Sequence, residues 1–176
     1  MSTEHSRDLP ILAPEEGWIE FTLAHFNHLQ PKFIAGDESS DRLRIRYFLR
    51  ESDNAVAGFA WFGPGTQGPP GHAHGGSISA LLDEAMGTAA WQCGMTVVAA
   101  QLTVNFRRPV PLGIEASFEA WIEKIEGRKV TTRGRLFTAD GTLFSEASAL
   151  FLVVDIQKLA AMNAGTSPAA HAEASD

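Results

Sequence analysis

Cysteine is nearly absent from this chain of 176 residues, which contains only Cys93. A single cysteine excludes an intrachain disulfide framework and a zinc site built from several cysteines, and it is typical of a reducing compartment. Basic residues are also scarce, since 14 lysines and arginines stand against 21 acidic residues, giving a net charge of −7. That balance argues against nucleic acid or an anionic membrane surface as a partner.

Long apolar runs are absent as well. No stretch approaches the roughly 18 consecutive apolar residues of a transmembrane helix, and the N-terminus shows no signal-peptide pattern. We therefore expect no membrane span and a cytoplasmic location. The apolar fraction of 44% is ordinary for a globular protein. We expect one domain over residues 14–156, with flexible segments at 1–13 and 157–176.

Hydrophobic spacing divides the chain into helices and strands. Apolar residues at helical spacing predict an amphipathic N-terminal helix over 15–29 and a long helix over 75–93, which Gly94 ends. Alternating or continuous apolar residues predict strands at 42–50, 55–62, 97–107, 114–126, 128–138 and 142–154. The pattern therefore predicts an α+β domain in which an antiparallel sheet of about six strands packs on one long helix.

The long helix carries two stripes of side chains, at about 100° per residue. One stripe is apolar and is expected to pack into the sheet: Ile78, Leu81, Leu82, Ala85, Met86, Ala89 and Cys93. The neighbouring stripe consists of small residues around the carboxylate of Asp83: Gly76, Ser79, Ala80, Gly87 and Ala90. Small residues let another backbone approach or leave room for a ligand. Asp83 is therefore the candidate catalyst, and an exposed or salt-bridged surface carboxylate is the alternative.

Gly75 and Gly76 begin this helix, and backbone N–H groups at a helix N-terminus stabilise negative charge. Gly75 precedes Asp83 by eight residues, or about 12 Å along a helix. One reacting carbonyl cannot lie within about 3 Å of both groups. If both act on one substrate, they come from two copies of the helix lying antiparallel. The chemistry therefore predicts a homodimer with two-fold symmetry and composite sites.

Two motifs resemble the hot-dog fold thioesterase superfamily, and within it the PaaI-like acyl-CoA thioesterases. The first is His-Gly-Gly at 74–76, followed after six residues by Asp-Glu at 83–84. The second is Asn-Phe-Arg-Arg-Pro-Val-Pro-Leu-Gly at 105–113. The resemblance implies a sheet wrapped around the long helix and protomers joined edge to edge, as a dimer or a dimer of dimers. It also implies an acyl-CoA substrate, with coenzyme A as part of that substrate and no further cofactor.

The resemblance also implies roles for individual residues. Asp83 matches the family's catalytic carboxylate, as general base toward water or as nucleophile. The Gly75 N–H matches the donor that polarises the thioester carbonyl, and His74 stands where relatives have a histidine near the thioester. Several relatives have an asparagine before the His-Gly-Gly motif, and only Gln67 could substitute for it here. Gly76 and Gln67 are accordingly assigned to substrate binding.

Four cations are candidates for binding the phosphates of coenzyme A. Arg107 and Arg108 end one predicted strand, and Arg128 and Lys129 begin another. Arginine suits phosphate because its planar guanidinium binds the oxygens in pairs. The alternative is that these four are ordinary solvated residues at strand ends.

Two rival functions share this fold. A non-catalytic acyl-CoA or lipid-binding protein would differ from a thioesterase only in activity. A hydratase or dehydratase of this fold pairs a carboxylate with a histidine downstream on the helix, and no histidine follows His74 in the predicted helix. His72 and His74 have no third ligand at suitable spacing, so no metal site is expected.

Overall fold

A computed structural model of the chain describes residues 12–23, 33–34, 41–155 and 157. These residues form seven strands and one long helix: β1 (Trp18–Phe21), β2 (Leu43–Arg50), β3 (Ala55–Phe62), α1 (Gly75–Gln92), β4 (Val97–Phe106), β5 (Glu115–Glu126), β6 (Lys129–Phe137) and β7 (Leu143–Val153). A 3₁₀ turn at Pro64–Thr66 lies between β3 and α1. The segments predicted to be flexible fall almost wholly outside the described residues.

The seven strands form one antiparallel sheet in the order β1-β2-β3-β5-β6-β7-β4. Tight turns at Gly127 and Gly141 join β5 to β6 and β6 to β7, with φ values of +58° and +82°. Glycine adopts such positive φ angles without steric cost, and this fixes the register of the hairpins. Strand β4, which follows α1 in the sequence, lies at one outer edge of the sheet.

Helix α1 packs on the sheet through the apolar stripe predicted from the sequence. Ile78, Leu81 and Met86 are buried, as are the stripe's other members up to Ala89. They join a core with residues of the facing strands, among them Phe118 and Leu136. Burial of one large apolar side chain stabilises the fold by about 1.5–3 kcal/mol. This stripe therefore fixes which face of α1 is turned away from the core.

The placement of Cys93 in the buried stripe is wrong, because its side chain is exposed. The helix ends at Gln92, and Cys93 is its C-cap with φ −86° and ψ 13°. Gly94 follows with a φ of +78° and turns the chain toward β4. Cys93 thus lies beyond the last regular turn, so the spacing of about 3.6 residues per turn does not predict which way its side chain points.

The predicted N-terminal helix over 15–29 is wrong where the structure describes it. Trp18–Phe21 is a strand that pairs with β2, and the Trp18 ring stacks on Phe59 at 5.8 Å between centroids. Pairing and packing with distant residues override the helical spacing here. The remainder, 24–29, lies outside the described residues. The sheet consequently has seven strands rather than about six.

Among the residues that the structure describes, strand β4 is an open edge, since it pairs with β7 on one side only. Most of its residues are exposed, and they include the apolar Val98 and Leu102, each 37% exposed, and Phe106, 53% exposed. A β-bulge at residue 100 interrupts its pairing with β7. A long edge strand with exposed apolar side chains is a template for pairing with another chain.

Candidate active site

The loop before α1 folds back on itself and fixes His74 at the start of the helix. The N–H of His74 donates to the carbonyl of Thr66 at 2.7 Å, and the N–H of Gly68 donates to the carbonyl of His72 at 3.0 Å. A Cβ at Gly68 would lie 2.7 Å from the Cα of His74. Only glycine fits that approach, so the loop sequence determines where the helix begins.

The second motif holds this loop from the other side. The N–H of Ala73 donates to the carbonyl of Val110 at 2.9 Å, and the N–H of Leu112 donates to the carbonyl of Gly71 at 3.0 Å. Val110 is fully buried. The loop that leads into the first motif and the second motif are therefore hydrogen-bonded neighbours, although they are far apart in the sequence.

His74 is the N-cap of α1, in an extended conformation with φ −66° and ψ 137°. Its Nδ1 accepts a hydrogen bond from the N–H of Gly76 at 2.9 Å, and its carbonyl accepts one from the N–H of Ser77 at 3.0 Å. Among the described residues, no atom accepts a hydrogen bond from the N–H of Gly75. Gly75 thus presents an open donor at the positive end of the helix dipole.

Because of this cap, the backbone N–H groups of Gly75 and Gly76 differ in their hydrogen bonding. The N–H of Gly76, which the sequence assigned to substrate binding, donates to the imidazole of His74. Because Nδ1 accepts that bond, a neutral His74 ring carries its proton on Nε2. The arrangement offers one open backbone donor at Gly75 and one imidazole N–H close by in the chain.

Asp83 lies two turns further along α1, half-buried on the stripe of small residues. Its Oδ1 is buried and accepts no hydrogen bond in the described part of the chain. Burial raises the pKa of this carboxyl group above its ordinary value. A buried carboxylate oxygen without a partner is costly, and such groups concentrate at functional sites.

The neighbouring Glu84 occupies a different face of the helix. Burial raises the pKa of the Tyr47 hydroxyl well above its ordinary value, and the charge of Glu84 raises it further. Glu84 is therefore turned toward β2, whereas Gly87 on the Asp83 stripe is turned toward β7, where an added Cβ would lie 3.5 Å from the Phe151 ring. Since β7 is the neighbour of β4, the stripe faces the open edge of the sheet.

The helix is unbroken from Gly75 to Asp83, so the two groups are separated by about 12 Å along its axis. Within one protomer they cannot both reach a single carbonyl. If Gly75 and Asp83 act on one substrate, a second copy of the helix has to supply one of the two groups, and that stays a prediction.

Arg107 and Arg108 follow β4 directly and lie near the N-terminal end of α1. The backbone N–H groups of both arginines donate to the carbonyl of Phe144, at 2.8 and 3.0 Å. The Nε of Arg107 also donates to the carboxylate of Glu146 at 3.0 Å. Both arginines are exposed at the edge of the sheet.

Arg128 and Lys129 lie at the opposite end of the sheet. The Nε of Arg128 donates to the carbonyl of Val153 at 3.1 Å, and Val153 pairs with Val97 at the start of β4. The nine steps from Val97 to Phe106 span about 30 Å of strand. One protomer therefore does not bring the four candidate cations together.

Gln67 and His72 lie in the loop before α1. Gln67 is exposed and forms a β-bridge with Ala73, which places it beside the helix start. The Nδ1 of His72 lies 2.9 Å from the carbonyl oxygen of Pro70. No group of three or more histidine, cysteine, aspartate or glutamate side chains suited to a metal occurs among the described residues.

Phe106 is a neighbour of the candidate site that the sequence did not reveal. It belongs to the second motif, yet nothing in the pattern relates it to Gly75, 31 positions earlier. In the structure, a Cβ added at Gly75 would lie 3.2 Å from Cζ of Phe106. The ring is thus an immediate neighbour of the open donor.

Comparison with known proteins finds relatives of part of this chain. Residues 70–145 match the sequence model of the thioesterase superfamily. The acyl-coenzyme A thioesterase THEM4 of Xenopus laevis is 44% identical over 92 residues, which are 51% of this chain and 41% of that relative. The chain spans half or less of the length of these curated relatives.

Solved structures show the same fold. The thioesterase superfamily protein RHA08564 superposes with a TM-score of 0.58 at 34% identity, covering 62% of this chain and 53% of that one. The protein smu.793 of Streptococcus mutans, crystallised bound to acetyl CoA, superposes with a TM-score of 0.58 at 17% identity, covering 73% and 95%. One helix on an antiparallel sheet is thus confirmed as the hot-dog arrangement. Among the described residues, no helix has both the length and the hydropathy of a membrane span. Through its residues 70–145, the chain is similar to the thioesterase superfamily.

Proposed function

We propose that this chain hydrolyses an acyl-CoA thioester to a free acid and coenzyme A. The observation that carries the proposal is Asp83, whose Oδ1 is buried without a hydrogen-bond donor from the described residues and whose pKa is raised by burial. A carboxylate with a raised pKa is a better base toward water than an ordinary one. Coenzyme A enters as part of the substrate, and we propose no further cofactor.

The reaction uses the open donor at the helix start. The thioester carbonyl accepts a hydrogen bond from the N–H of Gly75, which stabilises the negative charge that develops on its oxygen. Asp83 takes a proton from water, and the resulting hydroxide adds to the carbonyl carbon. Collapse of the tetrahedral intermediate breaks the C–S bond, and the departing thiolate takes up the proton that Asp83 removed from water, which regenerates the carboxylate. Direct attack by Asp83 to form a mixed anhydride is the alternative route.

The second helix that completes the site comes from the partner protomer of a homodimer. Two β4 strands pairing antiparallel would cover Val98 and Leu102, whose side chains are partly exposed on this edge. The stripe around Asp83 faces the same edge, so the two helices would then lie antiparallel with their small residues in contact. This brings Gly75 of one protomer toward Asp83 of the other. A dimer of dimers and a cytoplasmic location stay predictions.

The same pairing explains why the candidate cations are split. Two-fold symmetry about the middle of β4 places the Val97 end of one strand beside the Phe106 end of the other. Arg107 and Arg108 of one protomer then lie at the same end of the dimer as Arg128 and Lys129 of its partner. We propose that the phosphates of coenzyme A bind between these two pairs.

A panel of short, long and aromatic acyl-CoA substrates tests the function, with release of free thiol as the readout. Asp83→Asn is expected to lower kcat by about 10²- to 10⁴-fold while the protein stays folded. Glu84→Gln is the matched control, because it changes the neighbouring carboxylate on another face, and it is expected to keep turnover. No thiol release from any substrate would overturn the hydrolase proposal, and wild-type kcat in Asp83→Asn would remove the role of Asp83.

A further inference from the structure

The ring of Phe106 points at the first residue of α1. Its Cζ, Cε1 and Cε2 atoms lie 3.2, 3.5 and 3.8 Å from the position of a Cβ built on Gly75. Because a carbon–carbon single bond is about 1.5 Å long, the tip of the ring lies no more than about 4.7 Å from the Cα of Gly75. A carbonyl oxygen bound to the Gly75 N–H would therefore have this ring close beside it.

Phe106 differs from the other phenylalanines that line the helix side of the sheet. Phe62, Phe118, Phe144 and Phe151 are all buried in the core, whereas Phe106 is 53% exposed. Phenylalanine favours burial strongly because of its large apolar area. The half-exposed ring beside the open backbone donor is thus an apolar surface that a bound substrate would cover.

We propose, on the basis of the proposed function, that Phe106 forms a wall of the acyl site and selects apolar acyl groups. The inference is that the chain prefers long aliphatic or aromatic acyl groups over acetyl or carboxylate-bearing ones. The two groups bonded to a thioester carbonyl are the acyl chain and the sulfur of coenzyme A. The pantetheine arm beyond the sulfur carries amides that need hydrogen-bond partners, and a phenyl ring provides none.

The surroundings of the ring support this assignment. On β4, Phe106 lies opposite Ser145, which is fully buried, so the ring stands on the helix side of the sheet. The ring therefore lies on the same side of the sheet as the start of α1, where the Gly75 N–H is open.

A different role for Phe106 is to contribute only to pairing of β4 with a second copy. Leu102 is the control for that role, because it lies on the same face of β4 and is also exposed. If Phe106 acts through pairing alone, then Phe106→Ala and Leu102→Ala weaken the dimer similarly and lower kcat/KM for all substrates by the same factor. If Phe106 contacts the acyl group, the loss depends on the substrate.

The test compares kcat/KM of wild type, Phe106→Ala, Phe106→Leu and Leu102→Ala on acetyl-, octanoyl-, palmitoyl- and phenylacetyl-CoA. One buried methylene is worth about fourfold in binding. We therefore expect Phe106→Ala to lose about 10- to 100-fold on the long and aromatic substrates and less than about threefold on acetyl-CoA, with Phe106→Leu between. Sedimentation of Phe106→Ala is expected to match that of wild type.

An equal loss on all four substrates, or no loss on any, would overturn the inference. Binding of non-hydrolysable thioether analogues with acetyl and octanoyl groups provides a second readout that does not depend on turnover. A wild-type protein that binds the octanoyl analogue more tightly, and loses that preference in Phe106→Ala, without releasing thiol from any thioester, would retain the inference and overturn the hydrolase. A wild-type protein with no preference between the analogues would overturn the inference while thiol release still supported the hydrolase.

Discussion

The Nδ1 atom of His74 accepts a hydrogen bond from the backbone N–H of Gly76 at 2.9 Å. A histidine thereby does what serine, threonine, aspartate or asparagine does at the start of most helices. The cap satisfies the second N–H of the helix and leaves that of Gly75 open. It also fixes the imidazole tautomer, since the acceptor nitrogen cannot carry the proton.

Substitutions at His74 separate its cap from its chemistry. His74→Ala removes the acceptor and is expected to lower the free energy of unfolding by about 1 kcal/mol. His74→Asn retains an acceptor and is expected to stay within a few tenths of a kcal/mol of wild type. We expect both variants to turn over more slowly, because neither has the Nε2–H. Denaturant unfolding measures the effect on stability, and thiol release measures the effect on turnover. Wild-type turnover in His74→Asn would show that His74 only caps the helix and has no part in the reaction.

The donor at Gly75 can be removed without breaking the helix. Proline is favoured at the first helical position because its missing N–H has no partner there, and the extended backbone of His74 (φ −66°, ψ 137°) is the conformation that a following proline requires. Gly75→Pro is therefore expected to fold and to lose about 10²- to 10³-fold in kcat, as enzymes do on losing one donor to the developing oxyanion.

Gly75→Ala is the matched control, since it adds the same Cβ near Phe106 but keeps the N–H. Circular dichroism confirms the fold of both variants, and thiol release measures turnover. Equal turnover in Gly75→Pro and Gly75→Ala would show that the N–H does not act on the carbonyl.

The raised pKa of Asp83 links its role to pH. A carboxyl group whose pKa is higher in the folded than in the unfolded state binds its proton more tightly when folded, so stability falls as pH rises through that interval. Asp83→Asn has no such titration. We therefore expect the variant to gain stability relative to wild type as pH rises from about 3 to neutrality, while wild-type kcat/KM rises over the same interval as Asp83 loses its proton. Unfolding free energies of both proteins across pH measure this, and a pH-independent difference would contradict it.

Local sequence pattern was sufficient for most of the fold. The strand predicted at 55–62 has those bounds in the structure, and the long helix begins at Gly75 and ends one residue before Cys93. Alternation, helical spacing and glycine at turns act over a few residues, so they can be read from the chain itself. Trp18 was misplaced in a helix because its strand is determined by β2 and by Phe59, which no local pattern reveals.

The sequence proposed the residues of the candidate site but not the contacts between them. Asp83 and Gly75 follow from the wheel of one helix and from the resemblance. The capture of the Gly76 N–H by His74 depends on the loop fold, and the approach of Phe106 to Gly75 joins residues on different elements. Such contacts depend on how the sheet closes over the helix, which spacing along one chain does not give.

Mixing two inactive variants tests the composite site most directly. In a dimer of Gly75→Pro with Asp83→Asn, one site has both defects and the other has neither. If Gly75 and Asp83 act across the dimer, unfolding and refolding an equimolar mixture is expected to restore about one quarter of wild-type activity, since half of the dimers are mixed and each has one intact site. If no activity returns although mixed dimers form, the two residues do not share a site across protomers and the account is contradicted.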